Sequence, residues 1–189
     1  MYKIKFTYSN DLIVKTETFD KNNKIEQIED YLYNNEKVIS YEFNDLESPF
    51  KDKTIYTYNL DSTVSFTEYS IFKATGIESK NQEGKLFYKN KNIIKIEQLE
   101  SIDFEYDNHS NPLKNILGFN LLLDKLPDYL GAGGVNNCTK ISAIDLMPTS
   151  IVVYTEYQYT YNEKEYPISA NVKRTEDKII TNYTLQYLY

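Results

Sequence analysis

Tryptophan is absent from the sequence, and cysteine, histidine and arginine occur once each, as Cys138, His109 and Arg174. A single cysteine excludes an internal disulfide, and a lone histidine forms no catalytic triad by itself. The lone arginine leaves little of the side chain best suited to bidentate phosphate or carboxylate recognition. The net charge is −7, the pI is near 4.9 and no run of Lys or Arg stands out, so no nucleic-acid partner is expected. No window approaches the 18 or so apolar residues of a membrane helix. Lys3, Lys5, Lys15, Glu17, Glu105 and Glu156 interrupt the faces that a membrane-spanning strand would need apolar. Met1 to Phe6 alternates like a strand and holds no apolar signal core. That leaves two expectations, a cytoplasmic protein or an exported one whose signal segment lies upstream.

Glycine (6) and proline (5) are also scarce, whereas tyrosine (19) and phenylalanine (9) are abundant. Aromatic and β-branched residues suit a pleated, half-buried surface, and their order follows a period of two. Ile4, Phe6 and Tyr8 share a face, as do Ile102, Phe104 and Tyr106, then Val153, Tyr157, Tyr159 and Tyr161, then Ile179, Tyr183, Leu185 and Tyr187. Strands with one buried and one wet face read this way. Asn/Asp clusters punctuate them at Ser9–Asp11, Asp20–Asn23, Tyr33–Glu36, Asn44–Asp45, Asn59–Ser62, Gln82–Gly84, Asn90–Asn92 and Asp107–Asn111. Asn and Asp tolerate left-handed backbone and bond their own chain, as short hairpin loops require. The expected fold is all-β, an antiparallel meander of about a dozen strands forming a curved sheet or barrel, in one domain over 1–189. A phase slip between Ile25 and Ile28 predicts a β-bulge.

One stretch breaks the period. Asn111 precedes Pro112 at a first helical position, and Leu113, Ile116 and Leu117 recur at spacings of three and four, which predicts a short helix over 112–117. Phe119 to Leu126 is apolar, and Gly131-Ala132-Gly133-Gly134 is too permissive to hold regular structure. The segment 112–138 therefore reads as an irregular crossing, with Leu113, Ile116, Leu117, Phe119 and Leu121 as the residues of a lid or binding element over one face of the sheet.

The run Phe104-Glu105-Tyr106-Asp107-Asn108-His109-Ser110-Asn111-Pro112-Leu113-Lys114-Asn115-Ile116-Leu117-Gly118 resembles the stretch FEYDNKNNPFKNI of Bacteroidota proteins regarded as lipoproteins, which carry YD-like hairpin repeats. The hairpins Glu42-Phe43-Asn44-Asp45, Tyr56-Thr57-Tyr58-Asn59 and Tyr159-Thr160-Tyr161-Asn162 are similar to theirs as well. The resemblance implies a domain of unknown function with a porin-like fold, and an export signal ending in a lipid-bearing cysteine. Cys138 lies mid-chain and does not match that cysteine. The resemblance brings no catalytic residues.

The candidate chemistry is thin. His109 reads as an exposed loop residue. Asp107, Asn108, Ser110 and Asn111 offer oxygens to a cation but lack the Gly and Glu of an EF-hand loop, so Asx turns account for them better. Cys138 has only Lys140 near it to lower its pKa and reads as a small, half-buried residue. Asp103 and Glu105 lie on one strand face among 28 acidic residues, where a solvated face is the default. No catalytic, cofactor or metal site is assigned, and the chain is not expected to be an enzyme; a carboxylate hydrolase is the least favoured reading. The favoured one is a structural or ligand-binding module of the cell envelope that meets a glycan or an envelope protein through exposed tyrosines. The alternative is a carrier holding an apolar ligand in the curved sheet, gated by Leu121, Leu122 and Leu123. An aliphatic cavity would favour the carrier, and a solid core with an outer tyrosine stripe the binding module.

Overall fold

Strands of alternating pattern joined mostly by turns of two to five residues have one economical arrangement, in which each pairs with the strand before it and the strand after it. The computed structural model, which describes residues 3–123, 134–145 and 152–187, follows that rule throughout. Its strands are β1 (Lys3–Ser9), β2 (Leu12–Phe19), β3 (Ile25–Asn34), β4 (Lys37–Asp45), β5 (Phe50–Tyr58), β6 (Val64–Phe72) and β7 (Ile77–Lys89). There follow β8 (Asn92–Glu97), β9 (Glu100–Ser110), β10 (Asn136–Asp145), β11 (Val152–Tyr161), β12 (Pro167–Glu176) and β13 (Ile179–Gln186). They form one 13-stranded antiparallel sheet in sequence order, and no ladder among the described residues joins β1 to β13, so the meander is not closed. The chain divides into two compact units, Met1–Glu83 with Leu117–Leu122, and Gly84–Ile116 with Leu123–Tyr189.

The turns explain themselves chemically. Four hairpins turn on two left-handed residues, Asn10/Asp11, Asn35/Glu36, Asn90/Lys91 and Asp177/Lys178, the type I′ geometry that matches strand twist and favours Asn and Asp. Three longer turns close around Asp20, Asn59 and Asn162, whose N–H groups each donate to the carbonyl four residues on at 2.9 Å. Each of these places one left-handed residue third in the loop, Asn23, Ser62 or Glu165.

Three of the type I′ hairpins share a local pattern, Tyr8-Ser9-Asn10-Asp11-Leu12-Ile13-Val14, Tyr33-Asn34-Asn35-Glu36-Lys37-Val38-Ile39 and Tyr88-Lys89-Asn90-Lys91-Asn92-Ile93-Ile94. In each, the tyrosine faces two residues of the next strand: the register slips by one between Tyr8↔Ile13 and Thr7↔Lys15, between Tyr33↔Val38 and Leu32↔Ser40, and between Tyr88↔Ile93 and Phe87↔Lys95. Cys138 occupies the same bulge position opposite Tyr106. Ile13, Val38, Ile93 and Cys138 are at most 1 % exposed and mark the core. A bulge takes a backbone group out of the ladder, and a buried carbonyl left so would be costly. Here a tyrosine of the following strand supplies the missing donor. The hydroxyl of Tyr33 donates to the Ile13 carbonyl at 2.8 Å, Tyr58 to Val38 at 3.1 Å, Tyr106 to Ile93 at 2.6 Å and Tyr159 to Cys138 at 2.8 Å.

The expected bulge near Ile25 is present, since Thr18↔Gln27 and Phe19↔Ile25 leave Glu26 as the extra residue. Other expectations need correction. Gln82–Gly84 is not a turn but lies inside β7. The ladder of β9 runs on to Ser110, so Asp107–Asn111 does not end a hairpin. The Asx bond expected there does form, from the His109 N–H to Asp107 Oδ1 at 2.9 Å, but it shapes a bulge where the register slips between Asn136 and Cys138. β13 has no buried face: Ile179, Tyr183 and Leu185, expected inside, are all exposed.

In place of one helix over 112–117 there are two 3-10 turns, Pro112–Asn115 and Phe119–Leu121, the first capped by Asn111 Oδ1 accepting from the Leu113 N–H at 2.8 Å. Much of the proposed crossing, 124–133, lies outside the described residues, including Leu126 and Gly131–Gly133. Gly134 is not the permissive position expected of it. A Cβ built there would stand 2.1 Å from Asn92 Oδ1, and that oxygen accepts from the N–H groups of Val135 and Asn136 at 2.9 and 3.3 Å.

Two predictions follow from this bonding. Tyr33→Phe or Tyr58→Phe should each lower unfolding free energy by about 1–2 kcal/mol in urea titrations, because a half-buried carbonyl loses its donor, whereas Tyr8→Phe, at a largely exposed ring, should change it by less than about 0.5 kcal/mol. Gly134→Ala should cost about 1–3 kcal/mol, since Asn92 must abandon two backbone donors to make room.

Candidate functional site

The five lid residues are not brought together as one buried cluster. Leu113 and Ile116 are half-buried in the second unit, and Leu121 is half-buried in the first. Leu117 is 56 % exposed and takes no part in a core. Phe119 is buried and meets Phe6 edge-on, with ring centroids 6.2 Å apart. Gly118, left-handed at φ 74°, lets the chain pass so close to β2 that an added Cβ would stand 3.1 Å from the Asp11 carbonyl. Of the Leu121–Leu123 gate, Leu122 and Leu123 are buried.

A polar and aromatic constellation lies in the second unit, on β9, β10 and β11. Asp107 is its hub. Its carboxylate accepts from the Asn137 backbone N–H and side-chain amide, each at 3.2 Å, from the His109 N–H and from the Tyr161 hydroxyl. His109 is therefore not the exposed loop residue that its Asx neighbourhood suggested. Its ring stacks on Tyr161 at 4.0 Å, and its Nδ1 is buried without a hydrogen-bond partner among the described residues. Cys138 is likewise more deeply buried than expected, at 1 % exposure.

Period-two alternation on β11 puts Tyr157, Tyr159 and Tyr161 on one face, with neighbouring centroids 6.1 and 6.0 Å apart, and Tyr187 joins Tyr159 at 6.5 Å. The rings form a row, but a half-buried one, not an outer stripe. Burial, then neighbouring Tyr187 and Cys138, pushes the Tyr159 hydroxyl far above its ordinary range. Burial is also the first cause for Tyr106, and for Tyr161, where the Asp107 carboxylate adds to it. These hydroxyls are donors held in place, unsuited to act as bases.

The same alternation turns a different set outward. In register across β11, β12 and β13, Glu156 faces Lys173 and Lys173 faces Asn182; Gln158 faces Asn171 and Asn171 faces Thr184; Thr160 faces Ser169 and Ser169 faces Gln186. Three rows of three polar side chains result. Glu156 and Lys173 form an ion pair at 3.6 Å, the Thr184 hydroxyl donates to Asn171 Oδ1 at 3.2 Å, and Thr160 and Ser169 share a bond of 2.6 Å. Glu156, Gln158, Asn171, Lys173, Asn182 and Thr184, flanked by Tyr183, line a groove of about 350 Å³, at the low end of ligand-site volumes. The tyrosines stand out in the sequence, and these residues do not. The available signal was polar residues at every second position in three successive strands: 156/158/160, 169/171/173 and 182/184/186.

No protein-family model and no curated protein sequence matches the chain. Among solved structures it is similar to a porin-like protein from Bacteroides vulgatus, with a TM-score of 0.58 and 11 % identity over 98 % of this chain and 87 % of that one. It is also similar to a porin-like protein from Bacteroides uniformis, with a TM-score of 0.50 and 15 % identity over 96 % of this chain and 73 % of the other. The chain thus shares the fold of porin-like Bacteroides proteins. No helix among the described residues is long and apolar enough to cross a membrane.

The buried tyrosines set an alkaline limit to stability. Below pH 10 their hydroxyls are protonated in folded and unfolded chains alike, and their contribution is complete. Above it the unfolded chain ionises while Tyr106, Tyr159 and Tyr161 resist, so the unfolded state binds fewer protons and stability falls as pH rises. Each such hydroxyl should cost up to about 1.4 kcal/mol per pH unit. Ultraviolet titration should show a group of tyrosines that ionises only with loss of the strand signal in circular dichroism.

Proposed function

We propose that the chain is a non-catalytic binding module of the bacterial cell envelope, whose polar groove on β11–β13 receives a neutral, hydroxyl-rich ligand of the glycan class. The carrying observation is the make-up of that face in register. Seven of its nine positions (Gln158, Thr160, Ser169, Asn171, Asn182, Thr184 and Gln186) are uncharged donors and acceptors, and the remaining two, Glu156 and Lys173, neutralise each other. Amides and hydroxyls both donate and accept, which matches sugar hydroxyls and gives no preference to an anion. An apolar carrier would want an aliphatic lining, and Val172 is the one aliphatic residue among those that line this groove. The porin-like designation of the structural neighbours favours an envelope setting. Cys138 is enclosed in the core and is not a lipid-bearing position.

Isothermal titration against neutral envelope oligosaccharides should give measurable binding. The double variant Gln158→Ala, Asn171→Ala should weaken it about tenfold or more, as expected for two lost hydrogen bonds, without shifting the melting transition. Wild-type protein that binds no neutral glycan, or binds it equally well without these two amides, would refute the reading.

A further inference from the structure

The outer edge of β13 differs from an ordinary sheet edge, and its own register identifies what fits it. The Tyr187 N–H donates to the Ile168 carbonyl at 3.0 Å, which fixes the phase of hydrogen bonding between β12 and β13. Bonded pairs alternate along an antiparallel ladder. Tyr183 and the other odd-numbered residues therefore bond inward to β12, and the N–H and C=O groups of Ile180, Asn182, Thr184 and Gln186 point away from it. No strand among the described residues pairs with that side.

Exposed edges are normally protected by charge, proline or a bulge. β1 has such protection in Lys3 and Lys5, the latter paired with Glu17 at 2.9 Å, and in the bulge opposite Tyr8. β13 has none. Its sequence Ile-Ile-Thr-Asn-Tyr-Thr-Leu-Gln carries no charge and no proline, and its ladder with β12 runs through eight pairs without a register shift. Ile179, Ile180, Tyr183 and Leu185 are 70, 56, 45 and 37 % exposed. On a molecule of net charge −7, this is a neutral, apolar strand on which two copies meet without repulsion.

We propose that β13 pairs with β13 of a second copy, antiparallel about a two-fold axis through Asn182. Such an axis keeps each residue on its own face, so paired numbers must share parity. With Asn182 opposite itself, Ile180 lies opposite Thr184 of the partner, and these are the residues whose N–H and C=O groups point outward. On the other face Ile179 meets Leu185 of the partner twice and Thr181 meets Tyr183 of the partner twice, which withdraws apolar surface that is exposed in the single chain. Centring on Tyr183 would instead set Thr181 against Leu185 of the partner and Ile179 against Tyr187, whose ring is already engaged with Tyr159 of its own chain at 6.5 Å. The pairing joins the two polar faces of β11–β13 side by side, but it uses the backbone edge and stands whether or not the groove takes a glycan.

Sedimentation velocity of the full chain, without added ligand, from micromolar to near-millimolar concentration, tests this. The expected result is a dimer that dissociates on dilution. Asn182→Lys, which sets two like charges together on the axis, and Thr184→Pro, which removes an outward N–H along with the hydroxyl that donates to Asn171, should each weaken it at least tenfold while keeping the strand-rich circular dichroism spectrum. Asn182→Cys should form an intermolecular disulfide across the axis under mild oxidation, and Thr181→Cys should not. A wild-type chain that stays monomeric throughout, a dimer indifferent to Asn182→Lys, or cross-linking of Thr181→Cys in preference to Asn182→Cys overturns the proposal.

Discussion

The hydrogen bond from a tyrosine hydroxyl to the carbonyl of a bulged residue is the interaction on which this sheet depends. Ile13, Val38, Ile93 and Cys138 sit where two residues oppose one, and they are among the most deeply buried residues of the core. A bulge changes which face a strand presents, so that Ile13 and Thr16, an odd and an even position, are both buried. That gain in core packing leaves a carbonyl without a ladder partner, and a buried orphan acceptor costs about 1–3 kcal/mol. Phenylalanine could fill the same space but could not donate. The bias toward tyrosine, 19 against 9 phenylalanines, has a physical reason here, since the ring packs while its hydroxyl closes the bulge. The first unit uses the device twice, through Tyr33 and Tyr58, and the second twice, through Tyr106 and Tyr159.

The groove on β11–β13 follows from the last of these bonds. With its hydroxyl held by the Cys138 carbonyl, Tyr159 fixes which face of β11 turns inward, and Tyr157 and Tyr161 follow by alternation. Asp107 then fastens Tyr161 to β9 and β10 through one carboxylate with four donors. Once these rings are seated, Glu156, Gln158 and Thr160 must point outward, and the regular ladders through β12 and β13 align their partners. The polar rows are thus preset by the aromatic face behind them. Preorganised groups of this kind bind without first losing the conformational freedom of loops.

How much of this was legible depended on how local each cause was. Strand alternation, the Asn and Asp turns and the Asn111–Pro112 cap are decided within a few residues, and most of them appear where the sequence placed them; Gln82–Gly84 and Asp107–Ser110, which lie inside β7 and β9, and the fully exposed β13 do not. The repeated Tyr-x-Asn pattern followed by two β-branched residues was equally local, and it marks three of the four tyrosine-closed bulges. The fourth was out of reach because Tyr106 and Cys138 are brought together by pairing across a long connection. His109 was misread for a related reason: Asp107 bonds sideways to Asn137 and Tyr161 as well as forward along its own chain, and no spacing rule reveals lateral partners. Gly134 looked permissive because composition does not show that Asn92 occupies the space its side chain would need.

A meander of many similar strands faces one recurring hazard, slippage of register, since a shift of one residue turns every side chain to the wrong face. Cross-strand ion pairs cannot prevent it alone. Lys5–Glu17, Lys140–Glu105 and Lys173–Glu156 lie directly opposite in register, but exposed pairs of this kind contribute at most about 1 kcal/mol each. The bulges discriminate more sharply. A slipped β3 would carry the Tyr33 hydroxyl past the Ile13 carbonyl, leaving a buried acceptor bare and a buried donor idle in the same move, while β2 would lose Ile13 from the core. Each bulge therefore works as an index mark between neighbouring strands. In the second unit the mark at Cys138 also decides whether Gln158 and its row face water or the core, so the fidelity of one hydrogen bond in the sheet becomes the condition for a polar surface two strands away.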